Sequence, residues 1–246
     1  MKKTKKKQTK KSITPRKWLL LGIVAVAVIL LVVLIARTVV NQEDEPKDSL
    51  TTNAPVEAFS PIDLGQGLIL TGLSGATGNF PEDGSDDFVI DMLSATFRND
   101  GAKTLQYAKI HVTVDGAAYT FEISTLPVGK TLRAFDMNKT AAPQTVKTVS
   151  AEAEHLVFFA EEPTLDADRL AITVKNGAVT VKNISSEDIN TEISIYFKTV
   201  SGSTYMGGIT YRVRVGALKA GTEVSGYSSH ASANGTEVLF VTYGQS

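Results

Sequence analysis

The chain has no cysteine. That excludes a disulfide framework, a thiolate metal site, a cysteine nucleophile and a lipid-modified cysteine anchor. Stability must then come from the core alone. Histidine is almost as scarce: His111, His155 and His230 are widely separated, and none has a second histidine or an acid at metal-ligand spacing. They read as surface residues. No Gly-x-Ser-x-Gly elbow occurs, and Gly207-Gly208 is not followed by a helical pattern, so neither a serine nucleophile nor a phosphate cradle is expected. The acid pairs Glu161-Glu162 and Glu187-Asp188 fall in turns, where solvated charge is the default. No enzyme activity, cofactor or metal is expected from these patterns.

One sign of charge is also missing from one end. Before residue 37 there are nine Lys or Arg and no Asp or Glu. Of the 25 basic residues, those nine and Arg37 leave 15 to face all 26 acids, a formal balance of −11 for the remainder. A basic head is joined to an acidic body. Nucleic-acid binding, which needs clustered cations for phosphate neutralisation, is not expected of such a body.

Residues 18–36 read WLLLGIVAVAVILLVVLIA, 19 residues without a charge. As a helix they span roughly 28 Å, the thickness of a hydrocarbon core. With the snorkelling Arg37 this predicts a transmembrane helix at 18–37, reached through a basic cytoplasmic segment at 1–17. Lysines on the N-terminal side alone hold that side in the cytoplasm. The run is long for a cleaved signal, and its small-x-small pattern Ala25-Val26-Ala27 lies in mid-run, so it reads as an uncleaved anchor in contact with membrane lipid. Residues 38–56 carry two prolines and no apolar period, a pattern expected of an extracellular linker.

Beyond the linker, helical periodicity gives way to alternation. Ile193, Ile195 and Phe197 alternate with Ser194, Tyr196 and Lys198; Ile110, Val112 and Val114 alternate with His111 and Thr113. The pattern is also written twice. SATFRNDG at 94–101 answers AVTVKNIS at 178–185, each with an Asn before a polar turn. An alternating strand follows, then a second arm, AAYTFEIS or GGITYRVRV. Next come LPVGKT at 126–131 and LKAGTE at 218–223, and each unit closes on an apolar strand, HLVFFA or EVLFVT. Five features in one order point to two homologous modules. Asn after a strand tolerates left-handed backbone and bonds its own turn, and the Leu-x-x-Gly step is expected to close the core and turn the chain. A strand with one dry face needs a second sheet to cover it, so each module is expected to be a sandwich. The fold class is therefore all-β: two tandem immunoglobulin-like β-sandwich modules, at 57–163 and 164–246, after an N-terminal transmembrane helix.

The phrase VKNISSEDINTEISIYFK followed by LKAGTE resembles the FxLYD-type and cell-adhesion-related immunoglobulin-like modules of exported bacterial, Gram-positive-like surface proteins. The resemblance covers residues 88–136 and 178–226. No Phe-x-Leu-Tyr-Asp string occurs, and 201–208, SGSTYMGG, departs from the family pattern. The resemblance implies a scaffold or binding role and names no ligand.

Two features could meet a partner. Lys198, Arg212 and Arg214, with Tyr196, are expected on one outward face of the second module, a basic stripe suited to an anionic wall polymer or to another envelope protein. PEDGSDDF at 81–88 gathers Glu82, Asp83, Asp86 and Asp87 about a glycine. It lacks the alternation of a calcium loop and reads as solvated acid, although it is the first place to look for calcium. The expected function is that of a single-pass membrane protein with extracellular domains, acting as a non-catalytic interaction or scaffold protein of the cell envelope. The alternative is an accessory or sensor subunit of a membrane export or cell-wall assembly complex.

Overall fold

The computed structural model describes residues 51–55, 59–85 and 87–244. The expected basic segment, membrane helix and most of the linker lie outside them. Contacts divide the chain into Met1–Lys47 and a second unit, Asp48–Ser246. It is all-β, and no helix occurs among the described residues.

The first eight strands are β1 (Thr51–Pro55), β2 (Ile62–Asp63), β3 (Leu68–Asn79), β4 (Phe88–Asn99), β5 (Leu105–Val114), β6 (Ala117–Leu126), β7 (Thr131–Phe135) and β8 (Val149–Phe158). Six more follow: β9 (Leu170–Lys175), β10 (Ala178–Asn183), β11 (Ile193–Ser201), β12 (Thr204–Val215), β13 (Glu223–Tyr227) and β14 (Thr236–Tyr243). Local chemistry fixes the tight hairpins. Asp115-Gly116 joins β5 to β6 and Asn176-Gly177 joins β9 to β10; all four residues have positive φ, as a two-residue turn matched to strand twist requires. Residues 51–55, read from sequence as the end of the linker, instead pair with β3 as an edge strand. Nothing in their side-chain pattern marks them, because an edge strand is selected by backbone pairing.

Strand order repeats six positions later. In the first half β3-β4-β7 and β6-β5-β8 share a core; in the second, β9-β10-β13 and β12-β11-β14 share another. The alternating residues go where their period places them. Ile110, Val112 and Val114 lie in the first cluster with Phe97 and Phe121; Ile193, Ile195 and Phe197 lie in the second with Val179 and Val213. One sheet also runs from the first half into the second. β7 pairs in parallel with β12, Thr131 to Thr204 and Leu132 to Tyr205, giving the order β1-β3-β4-β7-β12-β11-β14. Tyr205, from the second half, is buried in the first core.

The duplicated phrase is a duplicated hydrogen-bond device. Asn99 and Asn183 are both fully buried. The Asn99 amide donates to the Lys103 carbonyl at 3.0 Å and the Leu126 carbonyl at 2.8 Å, and its oxygen accepts from Gly101 N–H. The Asn183 amide donates to Glu187 at 2.7 Å and Leu218 at 3.2 Å, and its oxygen accepts from Ser185 N–H. Each Asn carbonyl also accepts from the glycine of its Leu-x-x-Gly step, Gly129 or Gly221, and each Asn N–H donates to the residue after that glycine. So one side chain clamps its own turn to a turn some thirty residues away through direct hydrogen bonds. Leu126 and Leu218 are buried and both glycines have positive φ, as expected. Neither Asn99 nor Asn183 uses the left-handed backbone that asparagine tolerates. Extended backbone is what lets the amide point across the sheet end.

Candidate functional site

The expected basic face is built by β11 and β12. Tyr196 pairs with Arg212 and Ser194 with Arg214, so the three long side chains share one side of the sheet. Arg212 and Arg214 are exposed, and Arg214 lies 3.4 Å from Glu192. Lys198 follows the same parity but does not reach the surface: its residue exposure is 0%. At that end of β11 the face is covered by the loop before β4 and by β6, an arrangement invisible to strand periodicity.

Lys198 sits in a bulge. Phe197 pairs with Tyr211 and Thr199 with Met206, so Lys198 alone opposes Gly207, Gly208, Ile209 and Thr210. The looped-out carbonyls turn inward. Lys198 Nζ donates to Ile209 at 2.7 Å, Gly208 at 2.8 Å and Gly207 at 3.5 Å. The amides of the same loop turn toward Glu82, whose carboxylate accepts from Gly208 N–H at 2.7 Å, Ile209 N–H at 3.1 Å and Phe135 N–H at 2.9 Å. Only glycine fits at 208, where a Cβ would lie 1.8 Å from the Glu122 carbonyl oxygen. The departure at 201–208 is thus a socket whose carbonyls hold Lys198 and whose amides hold Glu82, two buried and electrostatically coupled groups at the joint of the two halves. Burial pushes the Glu82 carboxyl up to about 7, against the pull of its N–H donors and of Lys198; burial likewise pushes Lys198 down to about 7.

Glu82 was expected in a solvated acidic loop; it is buried instead, because the Gly208 and Ile209 amides bind it. Its neighbours Asp83 and Asp87 both hold Lys139, at 3.2 Å and 2.9 Å. Hydrogen bonding from Ser85 first, then Lys139, holds the Asp83 carboxyl down at about 2. No cluster of three metal-ligating side chains occurs among the described residues.

Two concavities flank this junction. One of about 110 Å³ is lined by Glu82, Tyr107, Glu122, Ser124, Gly208 and Ile209, among others. An ionisable group held near neutrality can transfer protons. Here, however, both Glu82 oxygens are already committed to backbone donors, which is the signature of a structural carboxylate. The second, about 340 Å³, is a groove between the halves. Phe159, Tyr196 and Phe240 form its aromatic side, with Tyr196 stacked on Phe240 at 4.4 Å and Phe159 edge-on to Phe240 at 5.6 Å. Ser124, Thr125 and Thr210 line it with hydroxyls, and Thr210 Oγ1 donates to the Ser124 carbonyl at 2.7 Å.

The groove gathers Tyr196 from the expected face, while Arg212 and Arg214 lie outside its lining. The other tyrosines disperse: Tyr205 is in the first core, Tyr211 stacks on His230, Tyr227 is exposed, and Tyr243 bonds Asp166. His111 bonds Glu154, and His155 lies 3.4 Å from it. Sequence reasoning missed Glu82 as a partner of Lys198. The available signal was the glycine pair itself, in the middle of a strand where glycine marks a bulge or a close backbone approach.

No protein-family model matches the chain, and no curated protein matches it.

Proposed function

We propose that this is a non-catalytic interaction protein of the cell envelope, anchored by residues 18–37 with its N-terminus in the cytoplasm and its β-rich body outside. Each half is read as an immunoglobulin-like module. Two core-sharing groups of three strands per half, in one strand order, support that reading. The body works as a rigid mount for one binding face. The observation that carries this is the continuous side of β11 and β12, where exposed Arg212 and Arg214 stand beside Tyr196 and the aromatic, hydroxyl-lined groove. Cations next to an aromatic and hydroxyl surface suit an anionic wall polymer or an acidic protein patch. The interaction reading rests on surface chemistry, since Glu82, buried and held near neutrality, is spent on backbone donors.

The test is binding of the full chain, reconstituted in nanodiscs, to isolated wall polymer. Arg212→Glu with Arg214→Glu should abolish retention and leave the melting profile unchanged. Equal retention of both proteins would reject this face as the binding surface.

A further inference from the structure

We propose that the Phe88–Ile90 end of the β-body rests on the membrane surface, its apolar side chains inserted in the interface of the leaflet that its own anchor crosses. The inference rests on the anchored reading above. Phe88 is 68% exposed and Ile90 72%. They are two residues apart on one strand and so share one face, while Val89 between them packs against the Phe80–Met92–Phe135 cluster. No other strand among the described residues carries two exposed large apolar side chains on one face. A sheet face that meets only water is ordinarily polar at such positions.

Register places this pair where the tether arrives. Thr51, the first residue of β1, pairs with Thr77 of β3, and the adjoining Gly78 and Asn79 pair with Val89 and Phe88. β1 is antiparallel to β3, so the chain comes into the sheet at the end formed by the β3–β4 hairpin. Between Arg37 and Thr51 lie residues 38–50, which reach at most about 45 Å when fully drawn out. That limit keeps this end of the sheet close to the bilayer, at the millimolar effective concentrations typical of short tethers. Weak insertion by two side chains is enough under those conditions.

Charge at the same end selects the lipid. Asp83 and Asp87 flank the hairpin and share the single cation Lys139, which leaves the tip acidic. A zwitterionic surface accepts such a tip; an anionic one repels it. The occupant is therefore a zwitterionic lipid interface.

The test uses the single native tryptophan. Trp18→Phe removes it, and Phe88→Trp then places one reporter at an exposed position. The full chain is reconstituted in phosphatidylcholine vesicles with lipids brominated along the acyl chain, and association is checked by flotation. Trp at 88 should emit to the blue and lose most of its emission to shallow bromines, with less loss when anionic lipid is added. Tyr227→Trp in the same background, at a site 78% exposed in the second half, should stay unquenched. A chain that floats with the vesicles while Trp at 88 matches Trp at 227 overturns the inference and leaves the anchor standing. A chain that fails to float overturns both. A blue shift that depends on protein concentration and ignores bromine overturns it in favour of a second copy of the chain.

Discussion

Replacing Lys198 by Met tests the buried junction most severely. The variant leaves three inward carbonyls, of Gly207, Gly208 and Ile209, without their donor, and leaves Glu82 buried with no counter-charge. Stranding those carbonyls and leaving the coupled carboxylate uncompensated costs about 3–5 kcal/mol. For a unit of this size that lowers the melting temperature by about 6–20 °C. The sign of the pH dependence is more diagnostic than the size. Burial already raises Glu82, and losing Lys198 removes a charge that lowers it, so its folded pKa rises further above 4.5. A raised folded pKa gives stability that is present below the unfolded value and lost as pH rises through the folded one. Relative to the parent, Lys198→Met should therefore be least destabilised near pH 5 and most near pH 8.5. Glu82→Gln is the mirror case. Lys198 is held below its usual value by burial and loses the carboxylate that raises it, so its stability is lost as pH falls. That variant should be worst near pH 5. Thermal unfolding of the full chain in micelles, followed by β-sheet circular dichroism at several pH values, gives both slopes. Slopes of one sign, or losses under about 1 kcal/mol at neutral pH in both variants, would refute a paired role.

Asn99→Ala and Asn183→Ala should each cost about 2–4 kcal/mol in denaturant unfolding, since each removes at least three buried or part-buried hydrogen bonds and strands two carbonyls. Aspartate at either site should do no better, because it keeps the acceptor and loses both donors. Gly208→Ala should destabilise by about 2–3 kcal/mol or more through its clash with the Glu122 carbonyl, whereas Gly216→Ala, which meets open space, should stay within about 0.5 kcal/mol. Acid titration should show stability falling between pH 4 and about 2. Asp83, bonded by Ser85, and Glu154, bonded by Lys109 and His111, both have carboxyls depressed to about 2, so each loses its stabilising charge as pH drops through that window.

Periodicity read from the sequence located Ile193, Ile195, Phe197 and Ile110 through Val114, because a strand with one dry face repeats every two residues whatever it packs against. The repeated Asn and Leu-x-x-Gly phrase was legible for the same reason: a buried amide that bonds two turns requires both partners to recur with it. Lys198 shows the limit. Its parity is that of Tyr196, which lines the groove, yet the other half of the molecule covers it, and a covering partner 116 positions away (Glu82 to Lys198) leaves no local mark. β1 and the parallel joint of β7 with β12 were hidden likewise, since both are specified by backbone pairing between distant segments. The apolar run Phe88-Val89-Ile90 was visible as residues, but only register shows that two of its three side chains face outward at the tether end.

The anchored orientation is the premise on which the proposed role stands, and a chain without native cysteine allows it to be read directly. Single cysteines at Thr9, in the lysine-rich head, and at exposed Ser203, in the β11–β12 turn, can be challenged with a membrane-impermeant maleimide in intact cells. Labelling at 203 without permeabilisation, and at 9 only after it, with both proteins retained in the membrane pellet, is the predicted result. The reverse pattern, or protein labelled at 203 and recovered free in the medium, would contradict it.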